Sequence, residues 1–387
     1  MCPGKAGVSM KKPEGYVFQD GDSWVARVTF TDEHGQRRNL KRRCVNKTEA
    51  KDALISLRIK IHNGEASAMM DANKTTLAQL IEKWWQLCVD GQKAPRTAAD
   101  YQTWMQRYVL PDLGSKKLSV IGTVHIQALY KGMTARGLSS RTIQYTHAIL
   151  SQVFKQAVRW NLLTKNPCEG IRLPQRKRVR EIKVLSVQEC QQFIQTCFAH
   201  PDEGLVFAFL LETGTRPQEA TGLDWSHINL DTGTVRIDQA VVWVNGKWSL
   251  NETKTHKSKR ELPLSGQLLE LLRQHRQRQL EHRLKIGALF QNHNFVFCRE
   301  NGLPLRVDTL RYPLARILEQ AGIQTKITIY SLRHTSATLG LAVGQDLKTI
   351  SQKLGHSGIQ LTADSYLHPS ELMQRELAEK MAGILYK

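Results

Sequence analysis

The chain reads as a multidomain protein. It starts with a small three-stranded β-sheet plus a helix, continues through an all-α middle domain, and ends in a mainly-α α+β domain with a small antiparallel sheet. Three observations predict this order. Over residues 16–44 apolar positions recur every second residue. Over 77–160 they recur every third or fourth. Beyond 185, helical stretches alternate with short β-branched runs bounded by turn residues. At 387 residues and 41% apolar residues, the chain can fill two or three cores at about 100–200 residues per domain.

The N-terminal elements follow from alternation and turns. Tyr16-Val17-Phe18 is a short strand, and Asp20-Gly21-Asp22 is a turn. Trp24, Ala26, Val28 and Phe30 alternate with Val25, Arg27 and Thr29, which gives a second strand with one apolar face. Glu33-His34-Gly35 turns the chain into a third, Arg-rich strand ending at Cys44. Asn46 with Glu49 is a helix start of the capping-box type. The helix it opens carries Ala50, Ala53, Leu54, Leu57 and Ile61 on one face. Residues 63–73 are small and polar and read as a linker.

From Thr76 the period becomes helical. Leu77, Leu80, Ile81, Trp84, Leu87 and Cys88 lie on one stripe. A second helix is expected from Thr97 to Val109, stopping before Pro111 because the residue ahead of a proline is pushed out of the helical region. Ser140–Trp160 gives another, with Ile143, Leu150, Phe154 and Val158 inward. Asn166-Pro167 closes the unit. Its Trp and Tyr residues read as core.

After a basic run, Leu185-Ser186-Val187-Gln188-Glu189 reads as a capped helix start. Thr234–Ile237 and Ala240–Val244 are strands, and Asn245-Gly246 is a hairpin turn. Lys259–Leu264 is a further strand, and the rest is mostly helical. The expected domains are 1–66, 74–170 and 184–387, with a basic linker at 171–183.

Composition narrows the function. Lys plus Arg number 55 and Asp plus Glu number 35, a formal charge of +20. An excess of this size points to a polyanion, because each neutralised phosphate releases counterions. The basic residues cluster. Arg37, Arg38, Lys41, Arg42 and Arg43 fall on the third strand, with Arg27 on the strand beside it, and Arg176, Lys177 and Arg178 open the linker run. A three-stranded sheet with an Arg-rich strand can enter a major groove. No apolar run approaches the roughly 20 residues of a membrane span. Residues 1–12 carry no apolar stretch of a secretory signal. The seven cysteines are scattered with no C-x-x-C pair, which argues against a disulfide framework and against a cysteine zinc site.

Four segments of the C-terminal half carry chemistry together. Residues 212–225 read ETGTRPQEATGLDW, with Arg216 between a glycine turn and a helix. Residues 253–264 read TKTHKSKRELPL, with Lys254 on a hairpin. Residues 330–340 read YSLRHTSATLG, with Arg333 opening a helix. Residues 354–366 read LGHSGIQLTADSY, with His356 at a helix start and Tyr366 ten residues on. Each is weak alone. In this order, with the basic N-terminal sheet and the helical middle domain, the set resembles the tyrosine recombinase family, the phage integrases, over nearly the whole chain.

That resemblance implies an arm-site-binding domain at 1–66, a core-site-binding domain at 74–170 and a catalytic domain at 184–387. It implies that Arg216 and Arg333 grip the nonbridging oxygens of a phosphodiester, each such donor worth about 10²–10³ in rate. Tyr366 would attack phosphorus and form a 3′-phosphotyrosyl ester. Lys254 would protonate the departing 5′-oxygen, with Lys257 and Lys259 as rivals. His356 would hydrogen-bond the phosphate or help deprotonate Tyr366. Because the ester conserves the bond, no ATP, metal or other cofactor is implied. Glu219, one turn after Arg216, is placed to hold that guanidinium, or is a solvated helix charge. His334 would orient its neighbours.

One position departs from the family pattern. Tyr330 stands where many members carry His, three residues before the second Arg. A phenol can donate a hydrogen bond but cannot be a cationic imidazolium. Tyr330 is therefore either a neutral donor in place of the His or a packing residue. The resemblance further implies double-stranded DNA at core and arm sites, a homotetramer that exchanges strands through a four-way junction, an excisionase and a host DNA-bending protein as partners, and a location in the bacterial cytoplasm. A helix from Ser370 bearing Met373, Leu377, Met381 and Ile384 would dock on a neighbouring protomer or on its own domain. Two other readings stand beside this one. A type IB topoisomerase shares the chemistry but needs no second DNA address. An architectural DNA-binding protein needs no complete Arg216, Lys254, Arg333, His356 and Tyr366 set.

Overall fold

In the computed structural model the chain forms two compact units, Met1–Val179 and Arg180–Lys387. The structure describes residues 14–31, 35–62, 71–175, 182–252 and 259–355, together with positions 358, 379, 381–383, 385 and 386. No helix among them is long and apolar enough to cross a membrane.

The first unit opens with β1 (Glu14–Asp20), β2 (Ser23–Thr31) and β3 (Arg37–Cys44), an antiparallel sheet in sequence order. Pairing of Ala26 with Arg42 and Val28 with Leu40 fixes the register. One face then packs Ala26, Val28 and Cys44 against Ala50, Ala53 and Leu57 of α1 (Lys47–His62). The Glu49 N–H donates to Asn46 Oδ1 at 2.8 Å. The Glu49 carboxylate reaches one residue further back than a capping box requires, to the Val45 N–H at 3.0 Å.

The middle helices are α2 (Leu77–Cys88), α3 (Pro95–Trp104), α4 (Leu110–Leu113), α5 (Thr123–Ala135) and α6 (Ser140–Arg159). Thr76 and Gln79 form a reciprocal cap on α2. Three expectations need correction. The helix expected from Thr97 starts at Pro95, whose missing N–H costs nothing in a first turn. It does not stop ahead of Pro111. The wide turn Met105–Val109 lets the Leu110 N–H reach the Met105 carbonyl, and Pro111 then sits in the first turn of α4. Residues 71–74, of which 71–73 were expected in the linker, form a helical turn with Ala72 buried. Helix α5 was not anticipated, although Ile126, Leu129, Tyr130 and Met133 are buried at helical spacing.

In the second unit, α7 (Val187–Ala199) is capped by Ser186 and Glu189. α8 (Pro201–Thr213) follows, with Leu205 through Leu211 all buried. A helix apolar all round belongs at the centre of a core. α8 packs against α7, α10 (Gly266–Ile286), α11 (Arg311–Gln320) and α12 (Ile329–Ala342). Among the described residues between α8 and α10 lie α9 (Pro217–Thr221) and five strands. β4 (Ile228–Asn229), β5 (Thr234–Ile237) and β8 (Arg260–Pro263) make one antiparallel sheet. β6 (Gln239–Val244) and β7 (Lys247–Glu252) make a separate hairpin. The hairpin turns at Asn245 and Gly246, both at positive φ. α13 (Leu347–Leu354) ends at Gly355 in the left-handed region.

Candidate active site

The site is built where central helix α8 stops. Gly214, at φ 64°, caps it, and Arg216 becomes the N-cap of α9 with Pro217 in the first turn. Two residues of turn thus carry the first guanidinium out of the core. The Arg216 N–H donates to Glu219 Oε2 at 2.9 Å, and Arg216 Nη1 donates to Glu219 Oε1 at 2.7 Å. Arg216 Nη2 donates to the Gly355 carbonyl at 3.2 Å, a contact that spans 139 residues of sequence. Glu219 is therefore no solvated charge. It is 3% exposed and holds Arg216.

Arg333 approaches from α12. It is buried, and its Nη1 donates to the Gly214 carbonyl at 2.7 Å. Both guanidiniums are thereby tied to the same short segment, 214–219. Arg333 does not open its helix, as the sequence had suggested. Thr328 caps α12 and the helix begins at Ile329, so Arg333 is its fifth residue. Tyr330 accordingly lies inside the helix, on the side of Arg333, since residues three apart share a face. Its hydroxyl accepts a hydrogen bond from Gln218 Nε2 at 2.6 Å, and the side chain is half exposed. Burial, and then the adjacent Arg333 charge, hold the His334 imidazole below its usual range.

A further guanidinium joins the site. Arg260, on β8, donates from Nη2 to Glu219 Oε2 at 3.0 Å and from Nε to the Lys353 carbonyl at 2.6 Å. Burial alone would push the Glu219 carboxyl up. The charge and hydrogen bond of Arg260, then the backbone and charge of Arg216, outweigh it and hold the carboxyl below its ordinary value. Burial lowers the Lys353 ammonium, opposed by Glu212.

Sequence reasoning did not single out Arg260, Gln218 or Lys353. For Arg260 there was a signal. Leu262 must face the core, so alternation turns Arg260 the same way, and a buried arginine needs partners.

Of the sequence-predicted residues, Arg216, Arg333 and Tyr330 are brought together. Lys254, Lys257, His356 and Tyr366 lie outside the described residues, as do Arg176, Lys177, Arg178 and most of the expected C-terminal helix. The described chain reaches Gly355, the position before His356, and Arg216 grips it there. Lys259 is exposed, one residue ahead of β8.

The N-terminal sheet sorts its basic residues by face. Arg27, Arg37, Lys41 and Arg43 share the face opposite α1, while Arg38 and Arg42 share the face of Leu40. The Arg38 side chain is 16% exposed and lies 3.6 Å from Asp71.

Guanidiniums from three distant segments, Arg216, Arg260 and Arg333, gather around residues 214–219 on a mainly helical domain, a cationic cluster of the kind that suits a phosphate. The chain belongs to the phage integrase family. Residues 183–373 match the phage integrase family model and residues 77–173 match the phage integrase central domain. It is 30% identical over 378 residues to a XerC-like tyrosine recombinase of Caldanaerobacter subterraneus subsp. tengcongensis, covering 93% of this chain and 95% of the relative. It is 28% identical over 350 residues to an integrase of Streptomyces ambofaciens, covering 89% and 88%.

Among solved structures, the fold is shared with the Tn1549 transposon integrase in complex with transposon right end DNA. There the TM-score is 0.65 at 20% identity, over 80% of this chain and 100% of that one. It is also shared with a lambda integrase tetramer bound to a Holliday junction, with a TM-score of 0.57 at 18% identity, over 92% and 95%. The chain is thus a tyrosine recombinase of the integrase type, a site-specific enzyme that breaks and rejoins DNA.

Proposed function

We propose that this recombinase integrates and excises a phage or other mobile element through a 3′-phosphotyrosyl intermediate on Tyr366. The Tyr366 oxygen attacks the scissile phosphorus. The P–O bond to the 5′-oxygen breaks, and that oxygen leaves with a proton from Lys254. The 5′-hydroxyl of a partner strand then attacks the ester, releases Tyr366 and reseals the DNA. Arg216 and Arg333 neutralise the phosphoryl oxygens, and His356 bonds to the phosphate or takes the tyrosine proton. No step consumes a cofactor.

The observation that carries this reading is the linkage of Arg216 to both Glu219 and the Gly355 carbonyl, with Arg333 on Gly214 beside it. It joins the TGTR, LRH and LGH segments at one place. Residues 1–66 would bind arm sites, residues 74–170 core sites, and 171–183 would link to the catalytic domain at 184–387. The partners are double-stranded DNA, three further copies of the chain around a four-way junction, an excisionase and a host DNA-bending protein, in the cytoplasm of a bacterial host.

A nicked duplex carrying the element's crossover sequence tests the chemistry. It traps covalent protein–DNA adduct with the native chain and none with Tyr366→Phe, which still binds. Adduct persisting in that variant would refute the assignment. Relaxation of a plasmid bearing a single site, with no two-site product, would favour the topoisomerase reading.

A further inference from the structure

We infer that Arg260 is a positioning residue that locks the Arg216 side of the site to the C-terminal end of α13, which His356 follows in sequence; this rests on the active-site reading above. Three contacts carry it. Arg260 Nη2 bonds to Glu219 Oε2 at 3.0 Å, and the same carboxylate grips Arg216 through its other oxygen at 2.7 Å. Arg260 Nε bonds to the Lys353 carbonyl at 2.6 Å, one of the last carbonyls of α13. The guanidinium also fills the space beside Gly355, where a Cβ would come within 2.8 Å of Nη1.

The geometry suits an arginine and nothing smaller. Its side chain is 7% exposed, so its charge is set against the buried Glu219 carboxylate rather than water. The planar fork serves two acceptors on different segments at once, which a lysine ammonium on one flexible stem cannot reproduce in the same plane. A carbonyl at a helix C-terminus carries partial negative charge and favours a cation there. With Nη2 on Glu219 and Nε on the Lys353 carbonyl, Arg260 directs these hydrogen bonds within the protein. It acts through Glu219 on Arg216, and through Lys353 and Gly355 on the segment that continues into His356. It also stands on β8, six residues after Lys254. One buried side chain therefore braces parts of the site that come from three separate stretches of sequence.

The test is single-turnover cleavage of the nicked duplex by the full chain, comparing Arg260→Gln, Arg260→Lys and Arg260→Gln with Glu219→Gln. At saturating DNA both single variants should lose about 10²-fold in the cleavage rate constant, the cost of misplacing reacting groups by about 1 Å. Half-saturating DNA should change less than about twofold. Removing the Arg260 charge takes away the main influence that keeps Glu219 ionised. Arg260→Gln should therefore lose rate toward acid pH where the native chain does not. That acid limb should vanish in the double variant, which has no carboxylate to titrate.

A folded Arg260→Gln or Arg260→Lys that cleaves at the native rate overturns the inference. So does a slow Arg260→Gln with the native pH profile, which would mark a role in folding only. If Arg260→Gln does not fold, Arg260→Lys decides by its rate. Failure of the native chain to form adduct, or adduct in Tyr366→Phe, would instead sink the active-site reading on which this one rests.

Discussion

The Tyr330 hydroxyl and the Gln218 amide are joined by a hydrogen bond of 2.6 Å, so the phenol three residues before Arg333 is fastened two positions from Arg216. A phenol oxygen that accepts from Gln218 still has its own hydrogen to give. The two readings of Tyr330 now separate by experiment. If it is a donor, Tyr330→His retains single-turnover cleavage within about tenfold. Tyr330→Phe then slows it by about tenfold, one hydrogen bond of roughly 1.4 kcal/mol. If it is packing, Phe is as fast as Tyr. In either case the half-exposed ring predicts a stability change of about 0.5 kcal/mol or less, read from urea unfolding.

Glu219 gives a prediction on stability. It lies between Arg216 and Arg260 and is 3% exposed. Glu219→Gln leaves two guanidiniums without their counter-charge, one of them buried, and should cost about 3 kcal/mol. The sign with pH follows from the lowered carboxyl. A carboxyl whose folded pKa lies below its unfolded value stabilises fully above the unfolded value. That contribution is lost as pH falls through the folded one. The gap between native and Glu219→Gln stability, measured by urea unfolding, should be full at pH 6 and shrink below about pH 4.

The parts of the fold that repeat were legible in the sequence, and the parts that close over distance were not. Ala26, Val28 and Leu57 announce their burial by period alone, as do Leu80 and Phe154. Asn245-Gly246 announces its turn because both residues tolerate positive φ. Pro111 misled because the bias on the residue before a proline is only a preference, and Leu110 keeps helical angles, φ −61° and ψ −37°. In the site, Arg216 and Arg333 were legible as residue types in an order. What they hold was not. The Arg216–Gly355 and Arg260–Glu219 contacts join residues 139 and 41 positions apart, and no local pattern encodes such a meeting. The basic residues of the third strand group by sequence position, whereas strand alternation turns Arg38 away from Lys41.

Gly214 is a backbone prediction. Its φ of 64° is costly for any residue with a Cβ, and an added Cβ would lie 2.7 Å from Leu354 Cδ2 and 3.1 Å from Ser336 Oγ. The same residue offers the carbonyl that Arg333 binds. Gly214→Ala should cost about 1–2 kcal/mol from the backbone alone. Adduct formation should fall further than that destabilisation explains, because Arg333 loses its anchor. Thermal unfolding and single-turnover cleavage on one preparation separate the two effects. A variant that is destabilised but cleaves normally when folded would show that the Gly214 carbonyl does not set Arg333.

The N-terminal sheet gives the last prediction. Lys41 and Arg27 are cross-strand partners on the face opposite α1, while Arg38 lies 3.6 Å from Asp71 on the other face. If the outer face meets the DNA backbone, each phosphate contact contributes about 0.9 to the slope of log K against log salt. Lys41→Ala in the full chain should lower that slope by about 1 on a short duplex, and Arg27→Ala with Lys41→Ala by about 2. Arg38→Ala should leave the slope unchanged, since its charge is already paired within the protein. Fluorescence anisotropy over a salt series reads these slopes directly. A drop on Arg38→Ala with none on Lys41→Ala would mean that the opposite face, or its edge, meets the DNA.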